Sequence, residues 1–288
     1  MINNKKCLIC NKGKKNDVLY WHLDKESGDI WCWCNSCDRG YGLFQYCHLA
    51  GISVDEFLKG DFDFKEASPN EVTRMEWPTN FIPLSDPRAK KGTDYIRSRG
   101  LEPKGDMFYD TETEAIVFPY YFGNVYVGAQ KRLLTPWVKE DGDITKVITV
   151  PGTRTGLLIY GYNQDHLMSH VKNIVICEGA FNALSLQAAL DAVYGGTAKN
   201  PYKCVACSGS GASKHHREIF KDLKDIGYKI ICCPDNDEAG IKMFDKYVDS
   251  EAITHYALTD DRADWNDKLQ ELGERGLAKY FLERLKKI

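Results

Sequence analysis

Glu178 follows directly on Ile174–Cys177, four apolar residues too few for a helix and suited to a buried strand. Gly179 comes next, and then Ala180, Ala183, Leu184, Ala188 and Leu190 recur at helical spacing. Asp235 and Asp237 repeat the arrangement downstream. Ile230–Cys233 reads as a strand, Pro234 breaks it, and a helix begins near Glu238. Asp264 stands just ahead of a last helix expected from about Asn266. Asp235 and Asp237 are two apart, so in extended backbone their side chains point the same way. Carboxylates at strand ends suit hard divalent cations such as Mg²⁺, which take oxygen ligands and keep water for a substrate phosphate. Two such ions can clamp the attacking and leaving oxygens of a phosphoryl transfer. Crowding would also raise the pKa of one acid by like charge, which suits it to moving a proton. Singly, each acid equally fits the capping of a helix N-terminus. Their joint placement at successive strand ends is what points to one site.

A second chemistry lies near the N-terminus. Cys7-x-x-Cys10 and Cys34-x-x-Cys37 are two thiol pairs of the kind that complete a tetrahedral Zn²⁺ site, closed and therefore structural or recognitional. Cys32 and His22 are the alternative ligands, and Cys47 and His48 are expected to pack. The nearby aromatics Tyr20, Trp21, Trp31, Trp33, Tyr41 and Phe44 alternate with Lys12, Lys14, Lys15 and Arg39. They suit either a stacking face for single-stranded bases or the core that a small domain needs. Lys131 and Arg132 put two positive charges at the end of a predicted strand, where phosphates can be held.

The elements that must carry these groups follow from pattern. The 288 residues, 43% hydrophobic and 27% charged, can bury a core and suggest about two domains. A net charge of −3 advertises no global basic field. MINNKK has no apolar h-region and no run approaches a membrane span, so the eleven cysteines are expected reduced, in a cytoplasmic protein. Residues 1–60 form the cysteine-rich module, with strands over Val18–His22 and Ile30–Trp33 and helices over Gly42–Gly51 and Ser53–Leu58. Residues 61–90, with Pro69, Pro78, Pro83 and Pro87, read as a linker. Residues 91–170 open with a helix that Thr93 can cap and Gly100 can end. A hairpin follows, Ala115–Phe118 and Val125–Gln130 around Gly123-Asn124, and Trp137–Gly161 gives no clean pattern. Residues 171–265 alternate strand and helix: Cys204–Cys207, Lys214–Ile226, Lys229–Cys233, Glu238–Tyr247 and Ile253–Leu258 complete the series. That alternation predicts an α/β fold with a parallel sheet, and residues 266–288 a helical tail. Cys204, Cys207, Cys232 and Cys233 read as buried strand residues, and the Ser208–Ser213 glycine loop can offer N–H groups to a phosphate.

These motifs carry a resemblance. IVICEGAFNALS and ICCPDNDEAGIKMF resemble the glutamate and paired-aspartate motifs of the TOPRIM domain, which primases of bacterial and phage type share with topoisomerases, certain nucleases and recombination mediators. The double CxxC module, with Trp33-Cys34-Asn35-Ser36-Cys37 followed by Gly40-Tyr41-Gly42, resembles the template-reading zinc domain of phage replicative primases. GTDYIRSRGL and IVFPYYFGNVYVGAQKRL resemble the helix and hairpin of their basic subdomain, and Asp264-Trp265-Asn266-Asp267 their last acidic motif. The motifs occur in the family's order along nearly the whole chain.

The resemblance implies a zinc-ribbon-like domain, then an α+β basic subdomain and a TOPRIM domain. It implies a DNA primase that makes RNA primers on single-stranded DNA from ribonucleoside triphosphates. Glu178 would be the catalytic acid, Asp235, Asp237 and Asp264 would bind two Mg²⁺ or Mn²⁺, and Lys131 and Arg132 would hold nucleotide or template. Cys7, Cys10, Cys34 and Cys37 would hold one Zn²⁺. Helicase and DNA polymerase would be separate partners. A non-catalytic recombination mediator and a TOPRIM nuclease are the alternatives. One departure stands out: where the family often has a second acid four residues after the glutamate, this chain has Asn182.

Overall fold

The computed structural model describes residues 7–8, 19–23, 30–34, 39–42, 46–47, 74–122, 125–138, 142, 144–162, 170–207, 212–260 and 263–288. The chain divides into two compact units, Met1–Val72 and Thr73–Ile288.

In the first unit, β1 (Leu19–Leu23), β2 (Ile30–Cys34) and β3 (Arg39–Gly42) form an antiparallel sheet in sequence order. The two strands read from sequence are β1 and β2. Cys7, Cys34, Tyr46 and Cys47 are buried, and the Leu8 N–H donates to the Tyr46 hydroxyl at 2.9 Å. Burial pushes the Cys47 thiol up, which keeps it protonated as a packing residue. Cys10, Cys37, the side chains of Cys32 and His22, and nearly all of the two expected helices lie outside the described residues.

The second unit holds two five-stranded sheets. The antiparallel one runs in order from β4 (Phe81–Pro83) and β5 (Phe108–Asp110) through β6 (Ala115–Phe122) and β7 (Val125–Val138) to β8 (Ile144–Thr149). β4 corrects the expected linker. Pro83 ends a short edge strand, where a missing N–H costs nothing. Trp77 packs edge-on against Phe108 and Tyr126 at 4.6 and 4.9 Å, so this stretch packs onto the sheet. Thr93 is not a cap either. Asp86 and Pro87 open a 3-10 turn over Pro87–Ala89, α1 (Lys90–Ser98) continues from it, and the Thr93 hydroxyl instead donates to the Leu84 carbonyl. Gly100, at φ +74°, follows that helix as expected.

The other sheet has the order β10 (Tyr202–Ala206), β9 (Asn173–Cys177), β11 (Lys229–Cys233), β12 (His255–Tyr256), β13 (Lys286–Lys287). Its first four strands are parallel and β13 is antiparallel to β12. Both faces are covered, so β9 and β11 are almost continuously apolar. Ile174, Ile176, Ile230 and Cys232 pack with Phe220 of α3 (Lys214–Asp225) and with Met243 and Tyr247 of α4 (Glu238–Asp249). The other face meets α2 (Ala180–Tyr194), which in turn packs along α5 (Trp265–Arg284). α2 is buried on nearly every side, as an apolar helix held between layers must be.

Residues 266–288 are therefore no tail. α5 buries Trp265, Leu269, Leu277, Ala278 and Phe281, and the strand after it pairs with His255 and Tyr256. The four strand cysteines are buried, and burial pushes the Cys207 thiol up to about 12. Among the described residues no helix is long and apolar enough to cross a membrane.

Candidate functional site

Parallel pairing puts the C-terminal ends of β9, β11 and β12 along one edge, and each is followed by an acid. Glu178 leaves β9. Asp235 leaves β11 after Pro234, and Asp237 then caps α4 by accepting from the Gly240 N–H at 2.8 Å. Asp264 follows the segment after β12 and caps α5 in a reciprocal box with Asp267. The capping alternative thus holds for Asp237 and Asp264. A cap uses one carboxylate oxygen and leaves the other available.

The loop carrying Asp264 is held on its far side. Arg284 makes a two-oxygen ion pair with Asp260, whose N–H donates to the Tyr280 hydroxyl, and Asn236 donates to the Thr259 carbonyl.

These ends face the antiparallel sheet across a cavity of about 250 Å³. Glu178, Asp235 and Asp264 line one side; Arg132 and Gln130 of β7, Phe118 and Val147 line the other, with Arg99 and the first turn of α2 between. Phe181 wedges the two sheets apart, edge-on to Phe118 at 5.3 Å, with the Arg99 guanidinium 5.7 Å above its ring. Arg99 sits at the end of the helix read from sequence, yet pattern alone assigned it no role. Its only signal there was its place in GTDYIRSRGL. Asp237 lies just behind the cavity, near enough to raise the pKa of both Glu178 and Asp235.

Lys131 goes elsewhere. Alternation along β7 sends its side chain to the opposite face from Arg132, where its ammonium lies 2.7 Å from the buried carboxylate of Asp110. The two cations adjacent in sequence are therefore split between a structural ion pair and the cavity wall.

Burial and then the charges of Glu178, Asp264 and Asp237 push Asp235 up to about 7. Burial and then Asp237 raise Glu178 as well. Glu178 Oε2 is enclosed with no hydrogen-bond partner among the described residues. Asp235 Oδ1 accepts from the Asn182 amide at 2.6 Å. Crowded carboxylates with an unpartnered oxygen, and no nitrogen or sulfur donor among them, fit a hard divalent cation. Among the described residues no three His, Cys, Asp or Glu side chains are set as a ready cage. The acids line an open cavity instead.

Residues 175–269 match the Toprim-like family model, which spans β9 through the start of α5 and includes Glu178, Asp235, Asp237 and Asp264. A DNA primase of Campylobacter jejuni is 23% identical over 205 residues, covering 69% of this chain. The chain spans 29% of that relative's length. Among solved structures, the RNA polymerase domain of the Mycobacterium tuberculosis primase DnaG matches at TM-score 0.51 and 17% identity, covering 70% of this chain and 78% of its own. The same domain in complex with a double-stranded DNA oligomer bearing a 6-nucleotide overhang matches at TM-score 0.52 and 16% identity, covering 70% and 75%. At these identities the similarity is one of fold, and it takes in both the α/β sheet and the antiparallel sheet.

Proposed function

We propose that the chain is a DNA primase that synthesises short RNA primers on single-stranded DNA from ribonucleoside triphosphates. The observation that carries this reading is the cavity in which Glu178, Asp235 and Asp264 face Arg99 and Arg132. A nucleotide triphosphate needs cations at its phosphates and a proton acceptor at the attacking 3′-hydroxyl. A wall of carboxylates opposite guanidiniums supplies both kinds of group in one space.

In this reading Asp235, Asp237 and Asp264 hold Mg²⁺ or Mn²⁺, which when bound would neutralise phosphate charge. Glu178, raised toward neutrality by burial, takes the proton of the attacking hydroxyl or shares a cation. Arg132 and Arg99 grip phosphate oxygens in a planar fork. Phe181 and Phe118 form the apolar floor that keeps the guanidiniums poorly hydrated, which strengthens their hold. Lys131 acts on the fold of the subdomain rather than on substrate.

The first unit is assigned as a Zn²⁺ module through Cys7, Cys10, Cys34 and Cys37 that reads template. A helicase and a DNA polymerase are assigned as partners, and the cytoplasm as the site of action. A zinc assay on Cys34→Ser tests the first of these, and unchanged zinc content would remove Cys34 from the ligand set.

The deciding experiment incubates the protein with Mg²⁺, single-stranded DNA and labelled ribonucleotides, beside Glu178→Gln and Asp235→Asn. Template-dependent oligoribonucleotides from the parent and none from the variants are expected. Strand cleavage without synthesis would make the chain a nuclease. DNA binding with neither activity would make it a mediator.

A further inference from the structure

Asn182 stands one helical turn after Glu178 on α2 and is 4% exposed. Both ends of its amide are engaged. Oδ1 accepts from the backbone N–H of Asn266 at 3.2 Å, and Nδ2 donates to Asp235 Oδ1 at 2.6 Å. The first contact fixes the second. Only the oxygen can accept from the Asn266 N–H, so only the NH₂ group is left to face Asp235.

Asn266 is itself tied into the core. It is fully buried, and its own side chain donates to the Arg99 carbonyl at 2.9 Å and to the Ser185 hydroxyl at 2.8 Å. One connected polar chain therefore runs from the end of α1 through α5 and α2 to the acid that follows β11. Each member is partnered, which is the condition under which a buried polar network rigidifies rather than destabilises.

We propose that Asn182 is a positioning residue, a neutral clamp that holds Asp235 in its working orientation where an acid would need a bridging cation to do so. The inference rests on reading the acid set as the cation site. Asn182 makes Asp235 ready before any cation arrives, and no cation bridges positions 182 and 235.

The alternative chemistry is easily created. Asn182→Asp keeps the acceptor for the Asn266 N–H and turns a second carboxylate oxygen toward Asp235. Two carboxylate oxygens that close require a cation or a shared proton between them.

The test uses the full chain without nucleotide. Mn²⁺ binding is counted by electron paramagnetic resonance of the free ion, beside thermal unfolding with and without Mn²⁺. Asn182→Asp is expected to bind one Mn²⁺ more per chain than the parent and to gain more thermal stability from the metal. Asn182→Leu, which removes the clamp, is expected to stay folded while losing about 10–100-fold in kcat of primer synthesis, the usual cost of removing an orienting partner. Its KM for nucleotide should be unchanged. An unchanged Mn²⁺ count in Asn182→Asp, or full activity in Asn182→Leu, overturns the clamp while parental synthesis leaves the primase reading intact. A parent that makes no primer at all overturns both.

Discussion

Lys131 and Asp110 form an ion pair at 2.7 Å in which the carboxylate is fully buried. Thr113, Asn80 and the Glu112 N–H supply the carboxylate's other hydrogen bonds, and the Lys131 ammonium also lies 5.9 Å from the centre of the Phe81 ring. Burial alone would push the Asp110 carboxyl up, but the donation from Lys131 and its neighbours outweighs that and holds it at about 2. The pair ties β5 to β7 underneath the sheet face that carries Arg132.

Removing one partner leaves the other charge buried and alone. Asp110→Asn is expected to destabilise the protein by about 3–5 kcal/mol, read as a lower urea midpoint at unchanged slope. Lys131→Met should cost a similar amount and should leave the specific activity of the folded fraction near that of the parent. A Lys131→Met protein of parental stability that cannot make primers would return Lys131 to the substrate site.

Arg132 should behave in the opposite way. Its Nε donates to the Tyr95 hydroxyl at 3.3 Å, a long contact that a substrate phosphate can replace. Arg132→Met is expected to leave stability within about 1 kcal/mol and to lower kcat/KM for primer synthesis by about 10²–10³-fold, the scale of losing one preorganised donor to a developing charge. Arg99→Met should fall in the same direction. Steady-state synthesis with increasing nucleotide, alongside urea unfolding, separates these variants from the Asp110 pair.

That contrast also marks how far the sequence could be read. The parallel sheet was legible because β9 and β11 are buried on both faces, so each appears as an uninterrupted apolar run with an acid one or two residues after it. Trp137–Gly161, which holds β8, was not. β8 has no buried residue, and the register between β7 and β8 shifts after Arg132, so no alternation survives to be read. Trp137, Val138, Ile144 and Val147 all stand exposed, so no apolar face marks these strands. The site divides in the same way. Glu178, Asp235 and Asp264 declare themselves by position at strand ends. The Asn182–Asn266 contact joins residues 84 apart in sequence, and Arg99 reaches the cavity only once α1 has packed beside α2. Long-range closure of that kind leaves no local periodicity.

Gly240 is where the site leaves no room for a side chain. A Cβ there would sit 2.0 Å from the Asp235 carbonyl oxygen and 2.9 Å from the Asp235 nitrogen. These are backbone atoms that cannot swing aside. The first turn of α4 can therefore close under Asp235 only through glycine, and the Gly240 N–H is the donor that Asp237 caps. Gly240→Ala is expected to displace the Asp235–Asp237 loop and to abolish primer synthesis, with a stability loss of about 1–3 kcal/mol from overpacking. Gly179 is the control. It lies beside Glu178 at φ −113°, with nothing within 4 Å of an added Cβ. Gly179→Ala should retain most activity, and synthesis assays on the two alanine variants provide the comparison.

His216 gives the fold a pH dependence whose sign is fixed by its burial. It is 1% exposed in the first turn of α3, with Nε2 at 3.1 Å from the Leu158 carbonyl and Nδ1 enclosed without a partner among the described residues. Burial first, and the neighbouring His215 second, lower its pKa to about 4. In the unfolded chain the same imidazole titrates near 6.5. Between those values the unfolded state binds a proton that the native state refuses, so stability is present above pH ~6.5 and is lost as pH falls toward ~4. Between pH ~7 and ~5 this one group should remove about 2 kcal/mol. His216→Gln keeps a donor for the Leu158 carbonyl and cannot titrate, so its stability should fall by about 2 kcal/mol less over the same interval. Urea unfolding of the two proteins at both pH values measures the difference. Equal losses would mean that His216 takes up its proton in the native state, and that the ring is not held neutral between α3 and the Leu158 turn.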